Sequence, residues 1–210
     1  IFGKVFGHRN FLKALRNTLL LNVLDLIVGF PMPIILALML NEVKNIAFKK
    51  VTQTLLYLPH FLSWAIIGSV AYNMFRPSTG LVNVALMNAG IIEQGIPFLT
   101  EKWHWAFTYL FIGVWQGMGW GTILYLAAIT GINGELYEAA MIDGANRWKR
   151  MWHITLQGIK STIVTLLIMN LGRVMGSNLE RLTVLGNTQV KEFQYQLAVY
   201  IYTKGINNGK

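Results

Sequence analysis

Glu138-Ala139-Ala140-Met141-Ile142-Asp143-Gly144 decides the interpretation of this sequence, because it lies between two hydrophobic segments long enough to cross a bilayer. The stretch predicts a short helix that ends at Gly144, since glycine most readily adopts the left-handed conformation of a helix stop. A second short helix follows, and its residues at helical spacing on one face are Trp148, Met151, Trp152 and Thr155. Aromatic residues beside arginine and lysine are typical of a helix at a membrane interface.

The first of these two helices carries features that a simple connection between spans does not need. Ala139 and Ala140 are adjacent and small, so another backbone can approach closely, and Glu138 offers a charged anchor beside them. Small helices of this kind dock into grooves on other proteins. The sequence therefore predicts a loop that binds a soluble partner.

The same loop carries the spacing of a known family. The Glu-Ala-Ala triplet, Gly144 after three further residues, and Ile154-x-Leu156 resemble the EAA loop of ABC-importer permeases. This resemblance implies that residues 131–158 form the cytoplasmic coupling loop that sits in a cleft of the ATPase. The residues that it assigns to coupling are Glu138, Ala139, Ala140, Asp143, Gly144, Ile154 and Leu156. Gln157 stands where the family has proline, so we expect a less sharply kinked start of the next span.

Composition points to a membrane protein independently of any motif. Of 210 residues, 54% are hydrophobic, and they cluster into long runs. The net charge of +9 does not indicate nucleic-acid binding, because the cations fall at span ends and in loops. The chain has no cysteine, and its four histidines are far apart, so we expect no metal site and no cofactor.

The hydrophobic runs predict an all-α, polytopic membrane helix bundle. Pro31 and Pro33 are expected to break the first span near mid-membrane, and Pro59 to bend the second near its start. Cations are dense in residues 41–53, expected to be a polar connection, and in residues 131–160, so both regions are predicted to face the cytoplasm. The four predicted spans are about residues 15–40, 54–75, 103–129 and 160–179.

The third predicted span has a row of small residues. Gly113, Gly117 and Gly121 follow one another at four-residue spacing, so a neighbouring helix can pack closely against them. We interpret the row as a packing seam rather than a ligand site.

The family resemblance extends along the whole chain. Stretches such as Arg16-Asn17-Thr18-Leu19 and Tyr57-Leu58-Pro59-His60-Phe61 resemble carbohydrate permeases of the binding-protein-dependent type, and Gly113-Val114-Trp115-Gln116-Gly117 is similar to the LplB-like oligosaccharide and polysaccharide subfamily. The resemblance implies a type I ABC-importer (MetI-like) transmembrane core in a bacterial cytoplasmic membrane, with four of its spans present in what is a fragment of the permease. The partners that it implies are a cytoplasmic ABC ATPase dimer, a second permease subunit and an extracytoplasmic solute-binding protein.

Two other functions compete with an importer subunit. A membrane-embedded enzyme would need clustered catalytic groups inside a span, and a secondary transporter would need a proton or sodium relay. The ionisable groups within the predicted spans are too few for either, and the docking loop would serve no purpose. The chain also has no Gly-x4-Gly-Lys-Ser/Thr phosphate loop, so ATP hydrolysis is expected in a separate subunit rather than in this chain.

Aromatic and amide side chains within the spans are candidates for a sugar path. Aromatic faces stack on the C–H surfaces of sugars, and amides bond their hydroxyls. The alternative is that they anchor or pack the helices. The candidates are Trp115, Gln116, Trp120, Tyr125, Tyr72, Asn73 and Asn170.

Two charged residues are predicted to lie within the spans. Asp25 and Arg173 fall at similar depths from the outer end, and a lone charge in the hydrocarbon is costly, so we expect the two to approach each other. The alternative is that Arg173 extends outward to the interface while Asp25 caps a local backbone break.

Overall fold

The fold is known from a computed structural model that describes residues 9–176 and 178–207, and every regular element in these ranges is helical. The α-helices are α1 (Arg9–Gly29), α2 (Pro31–Glu42), α3 (Ile46–Tyr57), α4 (Trp64–Phe75), α5 (Leu81–Asn88), α6 (Lys102–Thr130), α7 (Glu135–Ile142), α8 (Arg147–Gly158), α9 (Lys160–Gly172), α10 (Leu179–Leu185), α11 (Lys191–Gln194) and α12 (Leu197–Ile201). Leu58–Phe61 is a 3₁₀ turn, and Met151–Thr155 within α8 is π-helical, as is Tyr202–Asn207.

The chain passes through the prolines of the first predicted span without the expected break. Phe30, between α1 and α2, keeps right-handed helical angles of φ −67° and ψ −41°, and its N–H donates to Leu26 at 3.0 Å. Pro31 and Pro33 stand in the first turn of α2, where the fixed φ of proline suits a helix. The prediction of a break near mid-membrane is therefore wrong, and only a one-residue interruption remains.

The expected polar connection over residues 41–53 is mostly helix. Asn45 begins α3 by accepting a hydrogen bond from the Phe48 N–H at 3.0 Å. An asparagine cap of this kind stabilises a helix start. The irregular connection is therefore reduced to residues 43–45, and α3 runs through Lys49 and Lys50.

Among the described residues, two continuous helical stretches are long and apolar enough to cross a membrane. They are Arg9–Glu42 and Lys102–Thr130. Two further pairs of helices are long and apolar enough only when the two helices of a pair, which are bent at a short break, are counted as one span. Pro59 lies in the 3₁₀ turn just before the break between α3 and α4. The second pair is α8 and α9, which are bent by 58°.

One compact unit comprises the described residues within Ile1–Asp25, Leu62–Gly113 and Arg173–Lys210. Its core is apolar and aromatic, with Trp105 and Leu182 fully buried. Trp105 donates its indole N–H to the Leu185 carbonyl at 2.7 Å, which ties α6 to α10. Gly68 of α4 allows Val184 of α10 to approach its backbone, since a Cβ there would collide with that side chain.

The second unit comprises Leu26–Phe61 and Val114–Gly172. Its apolar core joins α2, α6 and the start of α9 through Ala37, Tyr125, Ile129 and Ile159. Gly121 faces Pro33 of α2, and Gly119 faces the Leu56 carbonyl of α3, where any added Cβ would collide with the backbone. Small residues on α6 therefore permit close packing with two neighbouring helices.

The predicted glycine seam is only partly correct. Gly121 does pack against a neighbouring helix, α2, but a Cβ added at Gly117 would meet nothing within 4 Å. Gly113 accommodates a side chain, that of Arg181, rather than a helix backbone. Gly119, which is outside the four-residue row, makes the closest backbone approach.

Candidate functional site

Helix α7 and helix α8 form a hairpin whose turn is built by Gly144. Gly144 has φ +75°, its N–H donates to Met141 at 3.1 Å, and the Ala145 N–H donates to Ala140 at 2.8 Å. These two bonds make a Schellman stop, which requires the left-handed conformation that glycine adopts most easily. The predicted helix stop at Gly144 is confirmed.

Side chains fix the start of each helix in the hairpin. Asn133 accepts the Glu135 N–H at 3.0 Å and donates to the Glu135 carboxylate at 3.1 Å. Asn146 accepts the Lys149 N–H at 2.9 Å and so caps α8. The Tyr137 hydroxyl lies 2.9 Å from the hydroxyl of Thr155, which is buried, so α7 is held against α8. The hairpin is therefore a defined element rather than an irregular loop.

Helix α7 carries exposed apolar side chains in the described structure. Ile142 is 87% exposed, and Leu136 and Met141 are each more than half exposed. Glu138 and Ala139 are also exposed, whereas Ala140 is partly buried. Exposed apolar side chains on a short, rigid helix are typical of a surface that binds another protein.

The remaining residues of the predicted coupling set divide between surface and interior. Asp143 and Gly144 are exposed at the turn, while Ile154 and Leu156 are partly buried in α8. Ile154 lies within the π-helical segment Met151–Thr155. Such π-bulges occur frequently at functional sites.

The start of the following span is bent although Gln157 replaces the family's proline. The bend of 58° falls at Ile159, which closes α8 and is fully buried in the core of this unit. Gly158 lies against Ile132, where an added Cβ would collide with the side chain. The bend therefore has a packing cause that does not depend on proline.

Two of the sugar-path candidates contact the 3₁₀ turn Leu58–Phe61, which belongs to the second compact unit. The ring of Trp120 stacks on His60 with centroids 4.7 Å apart and an interplanar angle of 6°. The Gln116 side chain donates to the His60 carbonyl at 3.4 Å, a long hydrogen bond. Trp120 and Gln116 thus meet at His60, a residue that the sequence reasoning missed, and both hold the turn in place.

The other sugar-path candidates of this unit differ in how far their side chains are exposed to a ligand. Tyr125 is only 3% exposed and belongs to the apolar core, so its place among the sugar-path candidates is wrong. Trp115 is 36% exposed. Asn170 is exposed, with its amide donating to Leu166 at 2.8 Å on its own helix.

Tyr72 and Asn73 belong to the other compact unit. Tyr72 is exposed, and the Arg76 guanidinium carbon lies 5.5 Å from its ring centroid. Asn73 donates to the Ser69 carbonyl at 3.0 Å on its own helix. Both side chains are thus on the surface of α4.

The ion pair of Asp25 involves a different arginine from the predicted one. Asp25 lies 3.4 Å from the guanidinium of Arg181, which is 6% exposed. Arg173 follows the end of α9 at Gly172 and is exposed. Among the described residues, the ion pair of Asp25 is with Arg181 and not with Arg173, so the prediction of a direct Asp25–Arg173 ion pair is wrong. Helix α9 ends before residue 179, the predicted end of the span, and α10 then brings Arg181 into the core.

Arg181 was missed because it lies just beyond residue 179, the predicted end of the fourth span. Asn178 accepts the Arg181 N–H at 3.0 Å and begins α10, whose Leu182 and Leu185 are buried. The guanidinium also donates to the Tyr109 carbonyl. The asparagine followed by leucines at helical spacing was the available signal for a packed helix at this point.

The tail is also held by polar residues of α1. Asn17 donates to the carbonyls of Glu192 at 2.8 Å and Tyr195 at 3.1 Å, and Thr18 accepts the Leu197 N–H at 2.9 Å. Both side chains are buried. The Arg16-Asn17-Thr18 stretch, noted for its resemblance to carbohydrate permeases, thus clamps the last described helices onto α1.

These features define an all-helical membrane protein that carries a rigid, exposed hairpin formed by α7 and α8. Residues 10–198 match the family described as binding-protein-dependent transport system inner membrane component, and the chain belongs to that family. The prediction of an all-α ABC-importer permease fold is thereby confirmed.

Relatives of known designation are similar over almost the whole chain. Protein LplB of Bacillus subtilis (strain 168) is 40% identical over 208 residues, which cover 99% of this chain and 65% of that protein. The polygalacturonan/rhamnogalacturonan transport system permease protein YteP of the same organism is 42% identical over 209 residues, covering 100% of this chain and 64% of YteP. The chain therefore spans slightly less than two thirds of the length of these two relatives.

Solved structures share the fold. A bacterial ABC transporter involved in the import of the acidic polysaccharide alginate superposes with a TM-score of 0.94 at 39% identity, covering 100% of this chain and 72% of that one. A bacterial alginate ABC transporter in complex with an alginate pentasaccharide-bound periplasmic protein gives a TM-score of 0.93 at 39% identity, with 99% and 72% coverage.

Proposed function

We propose that this chain is a transmembrane permease subunit of an ABC importer that takes up an oligosaccharide across a bacterial cytoplasmic membrane. ATP hydrolysis takes place in a partner subunit, since the chain has no phosphate-binding loop. We call the α7–α8 hairpin the docking hairpin. Closure of the ATPase moves it, and the spans swing between outward and inward access.

The α7–α8 hairpin is the observation that carries this proposal. Asn133 accepts the first N–H of α7, Asn146 caps α8, Gly144 closes α7 with a Schellman stop, and the Tyr137–Thr155 contact holds the two helices together. A rigid element transmits a displacement, whereas an irregular loop absorbs it. Leu136, Met141 and Ile142 are exposed on different sides of α7, and they supply apolar surface that a cleft enclosing the helix on the ATPase would cover.

The proposed cargo rests on the relatives. One relative is designated by the transport of polygalacturonan/rhamnogalacturonan, and one solved transporter by the import of the acidic polysaccharide alginate. In this chain, Trp115 and the surface residues Tyr72 and Asn73 supply the aromatic and amide groups that bind sugars. Asn170 is a further candidate, while Trp120 and Gln116 shape the path by holding His60.

The proposed assembly contains this permease, a second permease, two ATPase subunits and an extracytoplasmic solute-binding protein. The alginate transporter, which was solved with a periplasmic protein bound to an alginate pentasaccharide, supports the last of these partners. The exposed hairpin supports the ATPase. The numerous exposed apolar side chains on α3 and α6, such as Phe48, Leu55 and Phe107, are covered by lipid or by the second permease.

Reconstitution of the full-length permease with its partners in proteoliposomes tests the proposal. Glu138→Lys combined with Gly144→Asp should leave the assembly in the membrane but abolish both oligosaccharide uptake and the stimulation of ATP hydrolysis. The charge reversal opposes docking, and a side chain at φ +75° strains the turn by about 1–2 kcal/mol.

Glu93→Lys is the control for the charge reversal at Glu138, because Glu93 is an exposed carboxylate in the connection between α5 and α6. We expect this variant to transport at the wild-type rate. Uptake driven by a proton or sodium gradient without ATP, or full coupling in the Glu138/Gly144 double variant, would overturn the proposal.

A further inference from the structure

A cavity of about 370 Å³ lies within the second compact unit, outside the docking hairpin. It is open to the outside and lies between the C-terminal ends of α2 and α6 and residues 49–57 of α3, so three helices contribute to its wall. Its volume is within the range of small-molecule sites in proteins. The residues that line it are Asn41, Lys49, Gln53, Tyr57, Ile123, Leu126, Ala127 and Thr130.

The lining is divided chemically between the helices. Helix α3 supplies Lys49, Gln53 and Tyr57, whereas α6 supplies the apolar Ile123, Leu126 and Ala127. An ammonium, amides and hydroxyls beside an aliphatic wall suit a ligand with a polar, anionic head and a hydrocarbon part. A sugar or a nucleotide would leave the aliphatic wall without a partner.

Lys49 supplies an uncompensated positive charge to this cavity. It is partly buried, and in the described part of the chain no carboxylate is in ion-pair contact with it. Lys44 and Lys50 lie near it in the chain, so the surroundings remain net positive in spite of Glu42. An anion that enters the cavity is therefore attracted rather than repelled.

The position of the cavity along the spans identifies the source of such an anion. Asn41 and Thr130 belong to the ends of α2 and α6 that the charge pattern assigns to the cytoplasmic side. Basic pockets between transmembrane helices on that side bind anionic lipid headgroups. This step rests on the proposed function, because the orientation is that of an importer subunit in the cytoplasmic membrane.

We propose that this cavity binds the glycerol phosphate headgroup of an anionic phospholipid from the cytoplasmic leaflet. Lys49 pairs with the phosphate, Asn41, Gln53 and Thr130 bond the phosphate and glycerol oxygens, and one acyl chain lies along Ile123, Leu126 and Ala127. The lipid fills the space between α3 and α6 beside the connection that leads to the docking hairpin.

Native mass spectrometry of the assembled transporter in detergent measures this binding directly. Phosphatidylglycerol and phosphatidylcholine with identical acyl chains are added separately, and soluble sn-glycerol 1-phosphate is the competitor. We expect phosphatidylglycerol to bind one site more tightly than phosphatidylcholine by about fivefold or more, and Lys49→Gln to remove that preference. Lys50→Gln, which removes the same charge from an exposed position on α3, should retain it.

Two further measurements locate the lipid. A photoreactive phosphatidylglycerol should label wild-type peptides within residues 41–57 and 123–130, a test that needs no variant. Ala127→Trp, which fills the aliphatic wall without altering charge, should weaken binding by a similar factor. Equal effects of Lys49→Gln and Lys50→Gln, labelling confined to other segments, or displacement of the lipid by millimolar glycerol phosphate would overturn the proposal. Loss of the lipid preference with ATP-driven uptake intact would reject this inference alone, whereas absent uptake in the wild-type assembly would reject the proposed function.

Discussion

The guanidinium carbon of Arg181 lies 3.7 Å from the centroid of the Tyr109 ring. The same guanidinium pairs with Asp25 of α1 and lies against Gly113 of α6, and Trp64 of α4 is 5.6 Å away. One cation from the short helix α10 is therefore held by a ring face, a carboxylate and a carbonyl within a single compact unit. This combination compensates the cost of burying an arginine, which would otherwise be large.

Gly113 is required by this arrangement, because an added Cβ would collide with the Arg181 guanidinium. We expect Gly113→Ala to destabilise the protein by roughly 1–3 kcal/mol through overpacking. Gly117→Ala is the matched control on the same helix, since nothing lies within 4 Å of an added Cβ there, and it should be neutral or slightly stabilising. Thermal unfolding of the detergent-solubilised transporter compares the two, and equal losses would contradict the role of Gly113.

Asp25 and Arg181 should behave as a coupled pair. Arg181→Met leaves the Asp25 carboxylate without its partner, but that side chain is 37% exposed, so we expect a loss of about 1–3 kcal/mol rather than the larger cost of breaking a fully buried pair. Combining Arg181→Met with Asp25→Asn removes the stranded charge and should recover a large part of that loss. A double-mutant cycle on thermal stability measures the coupling, and strictly additive losses would show that the contact is energetically unimportant.

Features that depend on local sequence were predictable. The helix stop at Gly144 follows from one glycine after an apolar helix, and its φ of +75° agrees. The partner of Asp25 was not predictable in the same way, because it depends on where α9 ends. Hydropathy extended that helix to residue 179 and selected Arg173, whereas the chain leaves the helix at Gly172.

Which aromatic residues of α6 are buried could not be predicted from the sequence either. Tyr125 and Trp115 are both aromatic residues within α6, yet one lies in the core and the other is partly exposed. Which face of α6 is covered depends on the approach of α2 at Gly121 and of α3 at Gly119. Such contacts between distant segments are set by packing, not by the periodicity of a uniformly apolar helix.

The conformation of Gly144 should matter separately from its position in the docking surface. Gly144→Ala places a Cβ at φ +75° with free space around it, so we expect a cost of about 1–2 kcal/mol and weaker stimulation of the ATPase. Gly134→Ala is the control, because Gly134 has φ −60° and equally open surroundings. Wild-type ATPase coupling in Gly144→Ala, measured in proteoliposomes, would show that the Schellman stop is dispensable.

Trp115 and Trp120 should give opposite phenotypes. Trp120→Ala removes the stacking on His60 and should cost roughly 1–2 kcal/mol of stability. Trp115→Ala should change stability little, but raise the oligosaccharide concentration for half-maximal uptake by up to about tenfold, the loss of one stacking contact. Uptake kinetics and thermal unfolding are measured on both variants. An unaltered uptake curve for Trp115→Ala would remove that residue from the sugar path.

The contact between the tail and α1 should depend on pH through Glu192. A hydrogen bond from Lys13, at 2.9 Å, and the charge of Lys13 lower the pKa of the Glu192 carboxyl below its usual value of 4.5. Because the folded pKa is depressed, the stabilisation is complete above the usual value and is lost as the pH falls through the lowered pKa. Carboxyl-detected NMR of selectively labelled protein in nanodiscs should show a titration below 4.5 that Lys13→Gln moves upward. Lys191→Gln, which removes a neighbouring charge without touching the pair, should leave the titration in place, and an equal shift in both variants would show that general charge rather than the Lys13 contact sets this pKa.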